Sequence, residues 1–221
     1  MKIYDCFSYW DEDLLLDLRL NILNEYVDYF VIVEGNKTWQ NNSKKLRFDI
    51  NKFPNFKKKI IYIPVKDMPD GDDPYIRENF QRNCILRGLK SSSDNDLIII
   101  SDLDEIPNPL KIKQFKKRPF WRIDKLRLNN IIENGGWHFC NLKNAEQLLY
   151  KYKNLCETND PYHFKEKIDD KYLVLDEIQK KINTGQDIIG RNEIYKVKKL
   201  DGSFPKKIIE NKDFYSEWIA D

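Results

Sequence analysis

Residues 96–107 read Asp-Leu-Ile-Ile-Ile-Ser-Asp-Leu-Asp-Glu-Ile-Pro, and this stretch decides the fold class. Leu97, Ile98, Ile99 and Ile100 in unbroken succession predict a strand covered on both faces, as the strands of parallel sheets are. Asp102, Asp104 and Glu105 follow at once, and Pro107 ends the segment. Open α/β sheets bind their ligands beyond the carboxyl ends of the strands, so these acids fall on the ligand side. If strand geometry continues through them, Asp102 and Asp104 point the same way and Leu103 turns into the core.

Working outward, residues 2–7, 29–34 (Tyr-Phe-Val-Ile-Val-Glu) and 59–65 read as further strands. Between the first two, residues 11–25 place Leu14, Leu15, Leu18, Ile22 and Leu23 at helical spacing, with acids in the first turn where the helix dipole favours them. Residues 35–45 are a polar loop, 68–74 a turn cluster, and 75–89 a second helix with Gly88 near its end. This alternation predicts an α/β fold with a mostly parallel central sheet flanked by helices. The second half is less regular. A short basic helix over 110–117, strands over 123–128 and 137–140, helices over 145–152 and 172–182, and a tail over 205–218 packing back on the core are the expectations there. No repeat or linker divides the chain, so one domain over 1–221 is expected, with 1–109 as its nucleotide-binding half and 110–221 as the half facing a second substrate.

A chain of 221 residues, 41% hydrophobic, builds one sizeable core and is not disordered. Its 38 basic residues almost cancel its 36 acidic ones, which speaks against a dedicated nucleic-acid binder; no nucleic acid is expected as a partner. The exception is residues 111–122, where Lys111, Lys113, Lys116, Lys117, Arg118 and Arg122 interleave with Phe115, Phe120 and Trp121 without an acid. A rival reading as an anionic-surface or nucleic-acid binder would start there, against the plainer one of a solvated helix face. Four scattered cysteines with no Cys-x-x-Cys pair suit a reducing compartment. With no apolar run near the ~18 residues of a membrane span and no signal peptide, a cytoplasmic protein is expected, with room for peripheral membrane contact.

Carboxylates packed as closely as Asp102, Asp104 and Glu105 repel unless something positive joins them. A hard divalent ion with oxygen ligands, Mn²⁺ or Mg²⁺, itself bridged to a diphosphate, fits that need. Asp102 and Asp104 are the metal candidates, and Asp102 has the alternative of accepting from ribose hydroxyls. By itself an Asp-x-Asp pair is a weak signal, and a solvated acidic turn is the competing account. His138, within Gly-Gly-Trp-His-Phe at 135–139, is a candidate third metal ligand or diphosphate contact, or else a strand-end histidine. Glu34 ends the second strand, where it either binds a nucleotide or caps a loop. Arg82 shares a helix face with Glu78 and Asn83; it either faces phosphates with its planar fork or pairs with Glu78 on the surface. Arg191, after Gly190, holds a phosphate or braces a loop.

The chain also resembles glycosyltransferase family 17, the family of the β-1,4-mannosyl-glycoprotein β-1,4-N-acetylglucosaminyltransferases. The resemblance rests on residues 4–7 (Tyr-Asp-Cys-Phe), 25–34, Glu78 with 81–83 (Gln-Arg-Asn), 100–109, 134–139 (Asn-Gly-Gly-Trp-His-Phe) and 184–191 (Thr-Gly-Gln-Asp-Ile-Ile-Gly-Arg), in family order. It implies a GT-A-type nucleotide-sugar-binding fold, a UDP-sugar donor with GlcNAc as the sugar, Mn²⁺ dependence, a saccharide or glycoconjugate acceptor, and inversion at the anomeric carbon. Inversion needs a general base, and Glu105, Asp187 and Glu157 are the open candidates. Residues 110–134 are shorter than the corresponding family region, and Glu157-Thr158-Asn159 stands where the family leads one to expect His-x-Glu. The donor half is therefore expected to be retained and the acceptor half rebuilt. A degenerate relative that binds a glycan or partner without turnover is the alternative.

Overall fold

The computed structural model describes residues 1–116, 132–156, 158, 174–189, 194–196 and 198–219. Its central sheet has four strands, β1 (Ile3–Ser8), β2 (Tyr29–Gly35), β3 (Ile60–Val65) and β4 (Leu97–Ile100), in the order β3-β2-β1-β4. Every pairing is parallel; Cys6 of β1, for example, lies beside Val31 of β2 and Ile100 of β4. The chain steps outward from β1 to β2 to β3, then returns to the far side of β1 for β4. The order thus reverses between β1 and β4, and such a switch point opens a crevice at the carboxyl ends of the two strands. The predicted α/β class, with a mostly parallel sheet flanked by helices, is what the chain adopts, and it is consistent with a GT-A-like fold.

Backbone contacts group into two units, residues 1–35, 46–66 and 81–140 in one, and 36–45, 67–80 and 141–221 in the other. In the first, β1 and β2 are buried along almost their whole length, which is why they read as continuous apolar runs. Helix α1 (Asp13–Leu23) packs Leu15, Leu16, Leu18, Leu20 and Leu23 into this core. Helix α2 (Pro74–Asn83) ends short of the expected 75–89 span and tightens into a 3-10 turn over Cys84–Gly88, a common way for a helix to finish. Beyond β4 come β5 (Glu105–Pro107), α3 (Pro109–Lys116) and β6 (Gly136–His138), with β5 and β6 forming an antiparallel ribbon.

In the second unit, α4 (Ala145–Asn154) starts with a capping box between Asn144 and Gln147. It packs Leu148 and Tyr152 against Ile178 of α5 (Leu175–Thr184) and against Ile188 and Ile189. Gly185 closes α5 at φ +65°, the left-handed cap that favours glycine. The tail forms α6 (Lys206–Glu210) and a 3-10 turn over Ser216–Trp218.

One expectation is corrected. Strand β4 is not covered on both faces: among the described residues it pairs with β1 alone, and Ile100 is 56% exposed. An apolar run specifies a strand, whereas its place in the sheet is set by pairing partners elsewhere in the chain. The strand expected over 123–128 lies outside the described residues.

Gly88 has no room for a side chain, since an added Cβ would sit 2.5 Å from Val31 Cγ1. Val31 is fully buried and β-branched, so it has little freedom to move aside. Gly88→Ala is expected to destabilise the protein by about 1–3 kcal/mol, read as a lowered midpoint in urea unfolding with an unchanged slope.

Candidate active site

The acidic turn is held from below by a charge that the apolar pattern hides. Arg19 lies in the middle of leucine-rich α1 and Asp5 in the middle of apolar β1, and both side chains are 0% exposed. Arg19 Nε and Nη2 donate to the two Asp5 carboxylate oxygens at 2.8 and 2.7 Å, a bidentate pair. The other edge of the guanidinium faces the turn. Nη1 donates to the carbonyl oxygens of Asp102, Leu103 and Glu105 at 2.6, 3.1 and 3.0 Å, and Nη2 to Ser101 Oγ at 2.7 Å. The Phe7 ring lies 4.5 Å from the guanidinium carbon. Removing either partner alone would strand a buried charge at a cost of about 3–5 kcal/mol.

Strand geometry does not run on through the acids as the alternation suggested. The Glu105 amide donates to the Asp102 carbonyl at 3.0 Å, closing a tight turn, and Glu105 Oε2 accepts from the Asp102 amide at 3.2 Å. Leu103 is buried, as expected, but Asp102 and Asp104 meet different partners. Asp102 Oδ1 pairs with Arg82 Nη2 at 3.1 Å, while Asp104 Oδ2 lies 3.5 Å from His138 Nε2. The Asp102 carboxyl is held above its ordinary value, first by loss of solvation, then by Glu105 and Asp104, with Arg82 opposing. Because 59% of that side chain is exposed, solvent screens much of the effect.

His138 is brought in by the β5–β6 ribbon. Ile106 pairs with Trp137 and is fully buried, so the flanking pair Glu105–His138 falls on the opposite face. The Phe139 amide donates to the Asp104 carbonyl at 2.9 Å and extends the pairing into the turn. The glycines before Trp137 allow this approach: an added Cβ on Gly136 would lie 2.6 Å from the Ile106 carbonyl oxygen.

Asp104 and His138 suit a divalent ion. Two donors about 2.0–2.2 Å from one ion stand roughly 3 Å or a little more apart, near the observed 3.5 Å. Among the described residues no group of three or more His, Cys, Asp or Glu gathers for a metal. The protein would thus supply two donors and leave the rest to phosphate oxygens and water, as Mg²⁺ sites in nucleotide enzymes do.

The remaining candidates separate. Glu34 is 0% exposed. Its Oε1 accepts from the Arg47 amide at 2.8 Å, and its Oε2 from the Phe48 amide at 3.0 Å and the Tyr62 hydroxyl at 2.9 Å. That geometry is the loop-capping alternative for Glu34. Asp187, in the second unit, is also buried, accepting from the Ile189 amide and the Tyr195 hydroxyl, both at 3.1 Å. Glu157, Arg191 and residues 117–122 of the basic stretch lie outside the described residues. Burial pushes the Cys6 thiol up to about 12, which removes it as a nucleophile. Arg19 and Asp5 are not among the site residues expected from the sequence; a lone base in a leucine-rich helix and a lone acid in an apolar strand are the local signs of burial, without naming the partner.

A sequence model of glycosyltransferase family 17 matches residues 1–130, more than half of the chain. The chain belongs to glycosyltransferase family 17. The matched stretch takes in Asp5, Arg19, Arg82 and the whole acidic turn, and it stops short of His138. The human protein named beta-1,4-mannosyl-glycoprotein 4-beta-N-acetylglucosaminyltransferase is 30% identical over 103 residues, covering 42% of this chain and 19% of that protein. The rat protein of the same name gives the same figures, and the mouse protein is 29% identical over the same length. This chain therefore matches about a fifth of the length of these curated relatives. No solved structure matches it.

Because a Gly136 side chain would strike backbone rather than a movable side chain, Gly136→Ala should force β6 away from β5. The expected result is faster hydrogen exchange at the Phe139 amide with protection of the β1 and β2 amides kept. Unchanged exchange at Phe139 would mean that the ribbon does not depend on this close approach.

Proposed function

We propose that this family 17 member transfers a sugar from a UDP-sugar to a saccharide hydroxyl with inversion, with GlcNAc, as in the names of its relatives, as the sugar. One observation carries the reading: an acidic turn at the β1–β4 switch point, with Asp104 facing His138 and Asp102 facing Arg82. Asp104 and His138 would hold Mn²⁺ or Mg²⁺, which when bound neutralises the charge that builds on the departing diphosphate. Arg82, 47% exposed beside Asp102, would present its planar fork to phosphate oxygens. Asp102, relieved of Arg82, then has a carboxylate oxygen available to ribose hydroxyls or to the ion.

For inversion the acceptor oxygen attacks the anomeric carbon from the side opposite UDP. Its proton goes to a base, and the bonding pair of the broken C–O bond leaves with the diphosphate. Glu105 is the base candidate within this turn, and its exposed carboxylate accepts from the Asp102 amide at 3.2 Å. No helix among the described residues is long and apolar enough to cross a membrane. A cytoplasmic site is proposed on the four scattered cysteines, which form no disulfide.

Calorimetry with a panel of nucleotide sugars, with and without Mn²⁺, tests the donor site. Metal-dependent binding of one UDP-sugar is expected, weakened at least about tenfold in Asp104→Asn. Absence of binding to every donor in both conditions would sink the transferase reading in favour of a degenerate member of the family.

A further inference from the structure

The Arg19–Asp5 pair has a consequence for the charge of the site as well as for its shape. We propose that the two residues form a charge-neutral clamp, which sets the aim of the Asp102 and Asp104 carboxylates while leaving their negative charge whole for a cationic ligand. The identity of that ligand, a divalent ion carrying a diphosphate, rests on the transferase reading; the clamp rests on geometry.

Three carbonyl oxygens, those of Asp102, Leu103 and Glu105, converge on Arg19 Nη1. Converging oxygens repel unless a donor stands between them, so this turn conformation requires a cationic group beneath it. A lysine ammonium has three donors at one point. Arginine has five in a plane, and here one edge grips Asp5 while the other grips the turn. The Phe7 ring against the guanidinium limits its rotation. Asp5 in turn is anchored in the sheet, opposite Phe30 of β2 and Ile99 of β4. The position of the acids is thereby tied to the buried centre of the sheet.

The second half of the inference concerns sign. A buried cation under Asp102 and Asp104 would by itself discharge them and compete with an external ion, strongly so away from solvent. Asp5, 2.7 Å away, offsets much of that charge, with Arg19 the nearer of the two to the turn. Arg19 and Asp5 are positioning residues, since neither reaches a ligand.

Three variants separate shape from charge: Asp5→Asn, Arg19→Lys, and the double variant Asp5→Leu with Arg19→Met, which replaces the pair by apolar groups. The readouts are hydrogen exchange at residues 101–106 against β1 and β2, and the affinity for Mn²⁺ with UDP from the Mn²⁺ spin-resonance signal. In the double variant the Glu105 amide should exchange faster while the sheet stays protected, and Mn²⁺–UDP affinity should fall about 10- to 100-fold. Arg19→Lys should recover part of that loss. Asp5→Asn should weaken Mn²⁺–UDP binding with the turn still protected, because the Arg19 contacts to the turn remain while its charge is no longer offset. Wild-type affinity in Asp5→Asn overturns the charge argument, and a turn as protected as wild type in both the double variant and Arg19→Lys overturns the positioning argument. Should the double variant not fold, Arg19→Lys alone decides the positioning arm. Failure of the wild type to bind Mn²⁺–UDP strikes the transferase reading, and the exchange arm still judges the clamp.

Discussion

A buried ion pair between the second turn of α1 and the middle of β1 is the constraint on which the candidate site depends. Arg19 touches the sheet, through Asp5, and three carbonyls of the acidic turn, those of Asp102, Leu103 and Glu105. Buried ion pairs are poor sources of net stability, because desolvating both charges offsets most of their attraction. Their more common value is in fixing one arrangement among several, and here the arrangement fixed is that of a turn rich in negative charge. An apolar pair in the same place would fill the space and leave the carbonyls of Asp102, Leu103 and Glu105 without a common donor.

From that constraint the rest of the site follows by short steps. The turn closes on itself through the Glu105 amide, which starts β5 in the direction that meets β6. Buried Ile106 orients the ribbon, and Gly136 lets its strands approach, so His138 arrives beside Asp104. Arg82 comes from the other side, from the last turn of α2, to Asp102. Each acid of the pair thus has its own neighbour, Asp102 the Arg82 guanidinium and Asp104 the His138 imidazole.

Much of this was legible in the residues. Continuous apolar runs at β1 and β2, alternating with helical spacing in α1, point to a parallel α/β sheet, whose strands are mostly covered by helices on both sides; β4 carries such a run without that cover. The acids after β4 lie at the carboxyl edge of the sheet, where open α/β sheets bind their ligands. Glu34 shows where legibility stops. A strand-end glutamate that caps a loop and one that binds a nucleotide have the same local sequence, and only the position of the Arg47 and Phe48 amides and the Tyr62 hydroxyl decides between them.

The sequence by itself determined the element types, the parallel sheet and the carboxylate-rich edge, since periodicity and side-chain chemistry act over a few neighbouring residues. Tertiary structure alone decided which strand is an edge, that Asp102 and Asp104 diverge to Arg82 and His138, and that Arg19 and Asp5 find each other across 14 residues. Those outcomes depend on distances between segments remote in the chain. A run of isoleucines carries no record of what will pair with it, and a lone arginine carries none of the acid that will neutralise it.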